Sequence, residues 1–330
     1  MAAGAASSVR PSPTDDRAFC RGVLPAVSRT FALTIRLLPP GLEYPVTVAY
    51  LLCRIADTIE DTTVLPVPEK RRLLAHFQAC LEDGGPDAAP LQAAFSGPGG
   101  DEERLASRAD AVLREFRRLP DAQRAAVRPW VQEMCAGMAQ FAGVPTLGGL
   151  DDLDRYCYFV AGTVGHMLTE LFRLHDGRMT PARSRELEAL ATSFGLGLQL
   201  TNIIKDVADD RRRGLSFIPR ELTEPSAGET PEVLQRLVRK AKRHLGDALD
   251  YCTRLPRRQY RIRLFCLTSL YFAARTLRLA ELEPRFLGSD GKLKISRGAV
   301  YRTVAATCLM APYNTLVRLY FRLLSRAAVA

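Results

Sequence analysis

Long apolar runs are missing from this 330-residue chain. None approaches the roughly 18 residues that a membrane span needs, so no span is expected. Strand-like alternation bounded by turn residues is equally scarce, which speaks against any sheet-based fold. The eight cysteines form no CxxC pair and sit in apolar contexts such as YLLCRIA, EMCAGMA and RYCYFVA. That spacing excludes a zinc centre and reads as reduced core cysteines of a cytosolic protein. GxGxxG is absent, so any dinucleotide would bind without a Rossmann unit. No repeat of about 20–50 residues is found, which excludes a helical solenoid. Aromatics are 8% of the residues and do not interleave with the basic runs, so the signature of a nucleic-acid surface is lacking.

What is present is helical periodicity. Apolar residues recur three and four apart over 16–37, 43–64, 67–83, 101–118, 121–142, 150–175, 181–208, 230–254, 257–281 and 296–326. Breaks fall at LPPG (38–41), EDGGPDAAP (82–90), SGPGG (96–100), GVPTLGG (143–149) and LTEPSAGETP (222–231), where Pro and Gly interrupt the helix. The reading is all-α, with one domain over 15–330 behind a disordered tail, 1–14, that lacks the apolar region of a signal peptide. The net charge of +10 suits nucleic acid, an anionic membrane surface or a phosphorylated substrate. Its densest basic runs, Arg211 to Arg213 and Arg257 to Arg263, read as solvated helix edges. Arg318, Arg322 and Arg326 line one face of the last helix, compatible with peripheral membrane contact.

Against this background, one stretch is out of place. RIADTIEDTT (54–63) carries Asp57, Glu60 and Asp61 on one face of an otherwise apolar helix. Asp206, Asp209 and Asp210 in KDVADD repeat the same spacing at the end of a second apolar helix, where the helix dipole disfavours acids. Two such clusters call for an external cation. Mg²⁺ binds through one or two carboxylates and completes its shell with water and substrate phosphate. A diphosphate held this way is set up to leave. Arg54, Lys205 and Arg211 lie where they could pair its oxygens.

Five blocks in order carry a resemblance: SRTF (28–31), YLLCRIADTIED (50–61), YCYFVAGTVG (156–165), LGLQLTNIIKDVADD (196–210) and LKISRG (293–298). Through them the chain resembles the squalene and phytoene synthases, head-to-head prenyltransferases of the class I isoprenoid synthase fold. The resemblance implies that the two acidic clusters are Mg²⁺-diphosphate ligands. It puts Ser28, Arg29, Phe31, Tyr50 and Arg54 at substrate-facing positions, with Arg29 and Arg54 contacting phosphate of substrate or cofactor. Tyr156, with Arg54 and Tyr50, would be catalytic, and Gln199 and Asn202 would line a central cavity. Gly162 and Gly165 would allow close approach to the helix backbone, whether by a prenyl chain or by another helix. His166 is taken as structural.

Among members of that family, YLLCRIADTIEDT and SFIPRE (216–221) look more like squalene synthases. Lys205, Lys294 and Arg297 would then meet the NADPH phosphate, although FCLTSLYFA (265–273) departs from the FCxIPQ pattern of the reducing eukaryotic enzymes. The expectation is condensation of two farnesyl diphosphates to presqualene diphosphate, followed by NADPH-dependent reduction to squalene. The alternatives are non-reducing condensation to presqualene diphosphate, dehydrosqualene or phytoene, and a divergent prenyltransferase with another acceptor. Outside that class stands a basic helical RNA- or membrane-binding protein. A cytoplasmic location with peripheral membrane contact for product release is expected; oligomeric state is not legible.

Overall fold

Ser28 splits the first expected helix in two. Its extended backbone and its hydroxyl, which accepts the Phe31 N–H at 3.2 Å, make it the N-cap of a new helix. The computed structural model describes residues 13–212, 214, 216–223, 231–282 and 293–325. Most of the expected tail, together with Arg213 and Arg326, lies outside them.

The order is α1 (Pro13–Val27), α2 (Arg29–Ile35), α3 (Pro40–Asp61), α4 (Val67–Cys80), α5 (Ala89–Ala94), α6 (Asp101–Ser107), α7 (Ala109–Arg117) and α8 (Asp121–Phe141). There follow α9 (Leu150–Cys157), a π-helical turn (Tyr158–Gly162), α10 (Thr163–His175), α11 (Pro181–Arg212), α12 (Arg220–Thr223), α13 (Pro231–Arg254), α14 (Tyr260–Leu282), α15 (Arg297–Met310) and α16 (Asn314–Ser325). The fold is all-α. Among the described residues no strand occurs, only an isolated bridge between Thr146 and Ser216.

Several breaks were not foreseen. The run 101–118 is interrupted at Arg108, which leaves the helical region (φ −113°, ψ 28°). The expected break at LPPG does separate α2 from α3, but Pro40 already opens α3, because a proline at the first helical position loses no hydrogen bond. Near the end, the turn at Ala311–Tyr313 divides 296–326 into α15 and α16.

One hydrophobic cluster runs from Cys20 to Leu324 and includes α14 along almost its whole length. In the run read as a solvated edge, Arg257, Arg258 and Arg261 are exposed as expected, and Arg263 alone belongs to this interior. Arg263 is fully buried, Arg258 pairs with Asp176 at 2.7 Å, and Arg261 donates to the carbonyls of Leu37 and Arg36.

The crossing of α10 and its π turn with α11 depends on absent side chains. A Cβ on Gly165 would lie 2.2 Å from the Ala191 carbonyl oxygen, and one on Gly195 would lie 2.1 Å from that of Ala161. Helix–helix packing therefore accounts for Gly165, and Gly162 packs beside Tyr158, Thr192 and Leu196. Gly165→Ala is expected to destabilise by about 2 kcal/mol, since backbone must move to admit the methyl. Gly246, on α13 with open space around its Cβ position, provides the opposite sign. Gly246→Ala should stabilise by about 0.7 kcal/mol through helix propensity. Urea midpoints of the two variants test both.

Candidate active site

Helix α3 is apolar enough to be buried for three turns before it releases its acids at the far end. On it, Tyr50, Arg54 and Asp57 follow at intervals of four and three, so they share one face. The Tyr50 ring lies 5.2 Å from that of Phe31, which α2 carries over it. Burial pushes the Tyr50 phenol up to about 12, while Ser28 and Arg54 beside it pull the other way. Ser28 thus has two roles, capping α2 and facing Tyr50. Arg29, the next residue, is exposed.

Arg54 reaches Asp57 at 3.5 Å and also pairs with Glu102. Glu102, on α6, was not foreseen, because nothing in its local sequence links it to a helix about 50 residues earlier. Burial raises the Asp57 carboxyl to about 7, against the lowering effect of Arg54 and with a further raising contribution from Asp61. Burial and the neighbouring Asp61 thus disfavour the anionic form of Asp57, a cost that a bound dication would offset. All six acids offer hard carboxylate oxygens, with no thiolate or imidazole among them, as suits Mg²⁺. Among the described residues no group of three or more His, Cys, Asp or Glu converges on one ion position. Mg²⁺ does not require that, since it takes one or two carboxylates and relies on water and phosphate for the rest.

Tyr156, at the end of α9, connects the two halves of the site. It is buried, and its phenol is held well above the usual range, first by burial and then by the negative charges of Glu60, Asp61 and Asp57. Its other face stacks on Phe217 at 4.6 Å, with the planes 22° apart. Phe217 follows the second acidic cluster closely. There Gly214, at φ +73°, turns the chain after α11. Ser216 then donates its N–H to the Pro145 carbonyl at 2.8 Å, and Arg220 and Glu221 donate theirs to Leu147 and Gly148. The sequence after Asp206, Asp209 and Asp210 is thereby fastened to the loop leading into α9, with Tyr156 between this anchor and the acids of α3.

Within the second cluster, Asp206 pairs with Lys205 at 3.1 Å, Asp209 pairs with Arg212, and Asp210 is buried. Gln199 is half-buried two turns earlier on α11. Asn202 is exposed and accepts from Lys205 at 3.4 Å, and Arg211 is exposed at the helix end. Lys294 and Arg297 stand exposed around the start of α15. Two accessible cations three positions apart are the donors a 2′-phosphate asks for, but no described contact joins them to Lys205, Arg29 or Arg54.

His166 is satisfied internally. Its ring stacks on Trp130 at 4.7 Å, Nε2 meets the Thr192 hydroxyl at 2.7 Å, and Nδ1 meets Glu188. No helix of the described residues is long and apolar enough to cross a membrane.

Known proteins resemble this chain over most of its length. Squalene synthase of Schizosaccharomyces pombe is 29% identical over 83% of this chain, the match spanning 62% of that protein. Squalene synthase 1 of Arabidopsis thaliana is 31% identical over 89% of this chain and 72% of its own length. Among solved structures, TcSQS with a bound ligand superposes with a TM-score of 0.79 at 29% identity, covering 96% of this chain and 94% of that one. A family model described as squalene/phytoene synthase matches residues 24–299, which take in both acidic clusters, Tyr156 and the start of α15, and the chain accordingly belongs to the squalene/phytoene synthase family.

Proposed function

We propose that the protein couples two farnesyl diphosphates head to head into presqualene diphosphate and reduces that intermediate to squalene. The observation that carries this reading is Tyr156, a phenol kept neutral beside the acids of α3 and stacked on the segment anchored after those of α11. Asp57, Glu60, Asp61, Asp206, Asp209 and Asp210 would hold Mg²⁺. The chemistry that metal supplies when bound is neutralisation of the leaving diphosphate. Arg54 and Lys205 pair diphosphate oxygens, and Arg54 exchanges its contact with Glu102 or Asp57 to do so.

Once the first carbon–oxygen bond breaks, the allylic cation is attacked by the C2–C3 double bond of the second chain. Closure of the cyclopropane releases one proton. Tyr156 does not serve as a phenolate base, since burial and neighbouring acids hold it protonated. It accepts the proton on its hydroxyl oxygen while passing its own to the departed diphosphate. Phe31, Tyr50 and Phe217 present aromatic faces that stabilise positive charge and help exclude water, which would otherwise end the sequence as an alcohol.

The reductive half rests on Lys205, Lys294 and Arg297 as phosphate contacts. The chemistry NADPH supplies when bound is hydride delivery to the rearranged cation. Non-reducing condensation is the second reading, favoured by α14, where FCLTSLYFA places Thr268 and Ser269 in the buried stretch that departs from the reducing pattern. Purified protein is incubated with farnesyl diphosphate and Mg²⁺, with and without NADPH, and extracted products are identified. Squalene with NADPH and presqualene diphosphate without it are expected. Presqualene diphosphate or dehydrosqualene in both arms, without squalene, selects the second reading, and no diphosphate release at any Mg²⁺ concentration overturns both.

A further inference from the structure

The large apolar side chains left exposed are concentrated at one end of the chain. Among the described residues ten are exposed, and six of them, Tyr301, Leu309, Tyr313, Leu316, Leu319 and Leu323, lie on α15, α16 and the turn between. The degree of exposure is high for such residues: 73% for Tyr301, 76% for Leu309, and 52% for both Leu319 and Leu323. Their spacing is regular. Tyr301, Ala305 and Leu309 recur every fourth residue on α15, while Leu316, Leu319 and Leu323 repeat at three and four on α16. Both helices pack on α14 through a different stripe, Thr303 and Thr307 on α15 and Val317 and Leu324 on α16. Each helix is therefore apolar on a face that its own fold leaves uncovered, where scattered single residues would need no explanation.

The charge on this segment has one sign. Residues 293–325 contain Lys294, Arg297, Arg302, Arg318 and Arg322 and no Asp or Glu. Arg318 turns inward, to Asp250 at 2.7 Å and the Thr253 hydroxyl at 2.9 Å. Arg302 and Arg322 are exposed next to the apolar stripes. Short helices with leucine and tyrosine on one side and arginine at its flank lie in the plane of a membrane interface rather than crossing it. Neither helix approaches the length of a span.

We infer that α15 and α16 form a docking surface for an anionic lipid bilayer, with Leu309, Leu316, Leu319 and Leu323 entering the acyl boundary and Arg302 and Arg322 meeting lipid phosphate. Charge complementarity selects this occupant. A second copy of the chain would bring the same acid-free, basic segment against itself, a like-charge contact that disfavours association. The inference deepens the peripheral membrane contact expected from the sequence. It does not depend on which prenyl reaction the site performs, and its test involves no turnover.

The full chain is sedimented with vesicles of phosphatidylcholine alone and of phosphatidylcholine mixed with phosphatidylglycerol. Binding to the mixed vesicles that weakens with salt is expected. Arg302→Ser and Arg322→Ser should each lower the partition coefficient about fivefold on mixed vesicles only. The triple variant Leu316→Ser, Leu319→Ser, Leu323→Ser should lose binding to both compositions while keeping its helical circular dichroism. Failure of the wild type to bind mixed vesicles overturns the inference, as does a triple variant that binds as before. A wild-type dimer on light scattering that the triple variant converts to monomer assigns the surface to a second copy instead, and pull-down of an acidic protein partner in the absence of vesicle binding assigns it to that class. Should the triple variant fail to fold, the two arginine variants, altered only at exposed positions, decide the matter alone.

Discussion

Asp57→Asn is expected to lower diphosphate release from farnesyl diphosphate by about 10³-fold, several kcal/mol of barrier, without unfolding the protein. Asparagine keeps the shape of the side chain and one oxygen, but not the charge that draws a dication. The metal-free fold should not suffer from the change. Burial and Asp61 already disfavour the ionised form of Asp57, so a neutral isostere removes a cost rather than a support. What is lost is the 3.5 Å contact with Arg54, which Glu102 continues to hold. Activity and stability should therefore separate, with thermal unfolding at or slightly above the wild-type midpoint and turnover nearly gone. Asp206→Asn, on the other helix, should cost a similar factor, and the double variant much less than the product of the two, because the clusters act on one diphosphate. Steady-state rates over a Mg²⁺ titration, with unfolding measured alongside, decide it. Turnover retained by Asp57→Asn would remove the metal assignment from α3.

The acids of α3 and α11 were legible because their signal is local. Three carboxylates one turn apart on an apolar helix break the amphipathic pattern wherever the chain goes afterwards. Helical class was legible for the same reason, from periodicity. Glu102 was not, since its only tie to the site is a contact across the packing of α6 on α3. Phe217 escaped notice because its stacking on Tyr156 is produced by a turn at Gly214 and a backbone pairing with residues 145–148, none of which side-chain spacing reveals. The π-helical turn at Tyr158–Gly162 inserts its extra residue inside a stretch that reads as one continuous helix. Its register is set by the close crossing at Gly162, Gly165 and Gly195, a tertiary demand. Arg263 is the clearest misreading, because a cation in a basic run looks solvated until its surroundings are known.

Arg263→Met is the substitution from which the largest loss of stability is expected, about 4 kcal/mol. Among the described residues the guanidinium meets no carboxylate. Instead Nε donates to the Ala311 carbonyl at 2.8 Å, Nη1 to those of Cys252 at 3.0 Å and Leu255 at 2.8 Å, and Nη2 to the Asn314 side-chain oxygen at 2.6 Å. Cys252 and Leu255 lie at the C-terminal end of α13, and Ala311 caps α15, so two negative helix ends converge on one cation. Burial pulls the Arg263 pKa down, yet those carbonyls supply a polar shell in place of water. A buried ion pair can sometimes be replaced by apolar residues at little cost, because both partners are removed together. Here three of the four acceptors belong to the backbone and remain, unpaired and dry, whatever side chain replaces the arginine. Arg263→Lys should recover only part of the loss, since an ammonium cannot reach the ends of α13 and α15 and Asn314 at once. Urea denaturation followed by circular dichroism reads all three proteins, and a methionine variant within about 1 kcal/mol of wild type would show that the helix ends find other donors. The same guanidinium anchors α15 and α16, so vesicle binding should fail in the methionine variant at lower urea than in the wild type, even though none of the substituted atoms reaches the surface.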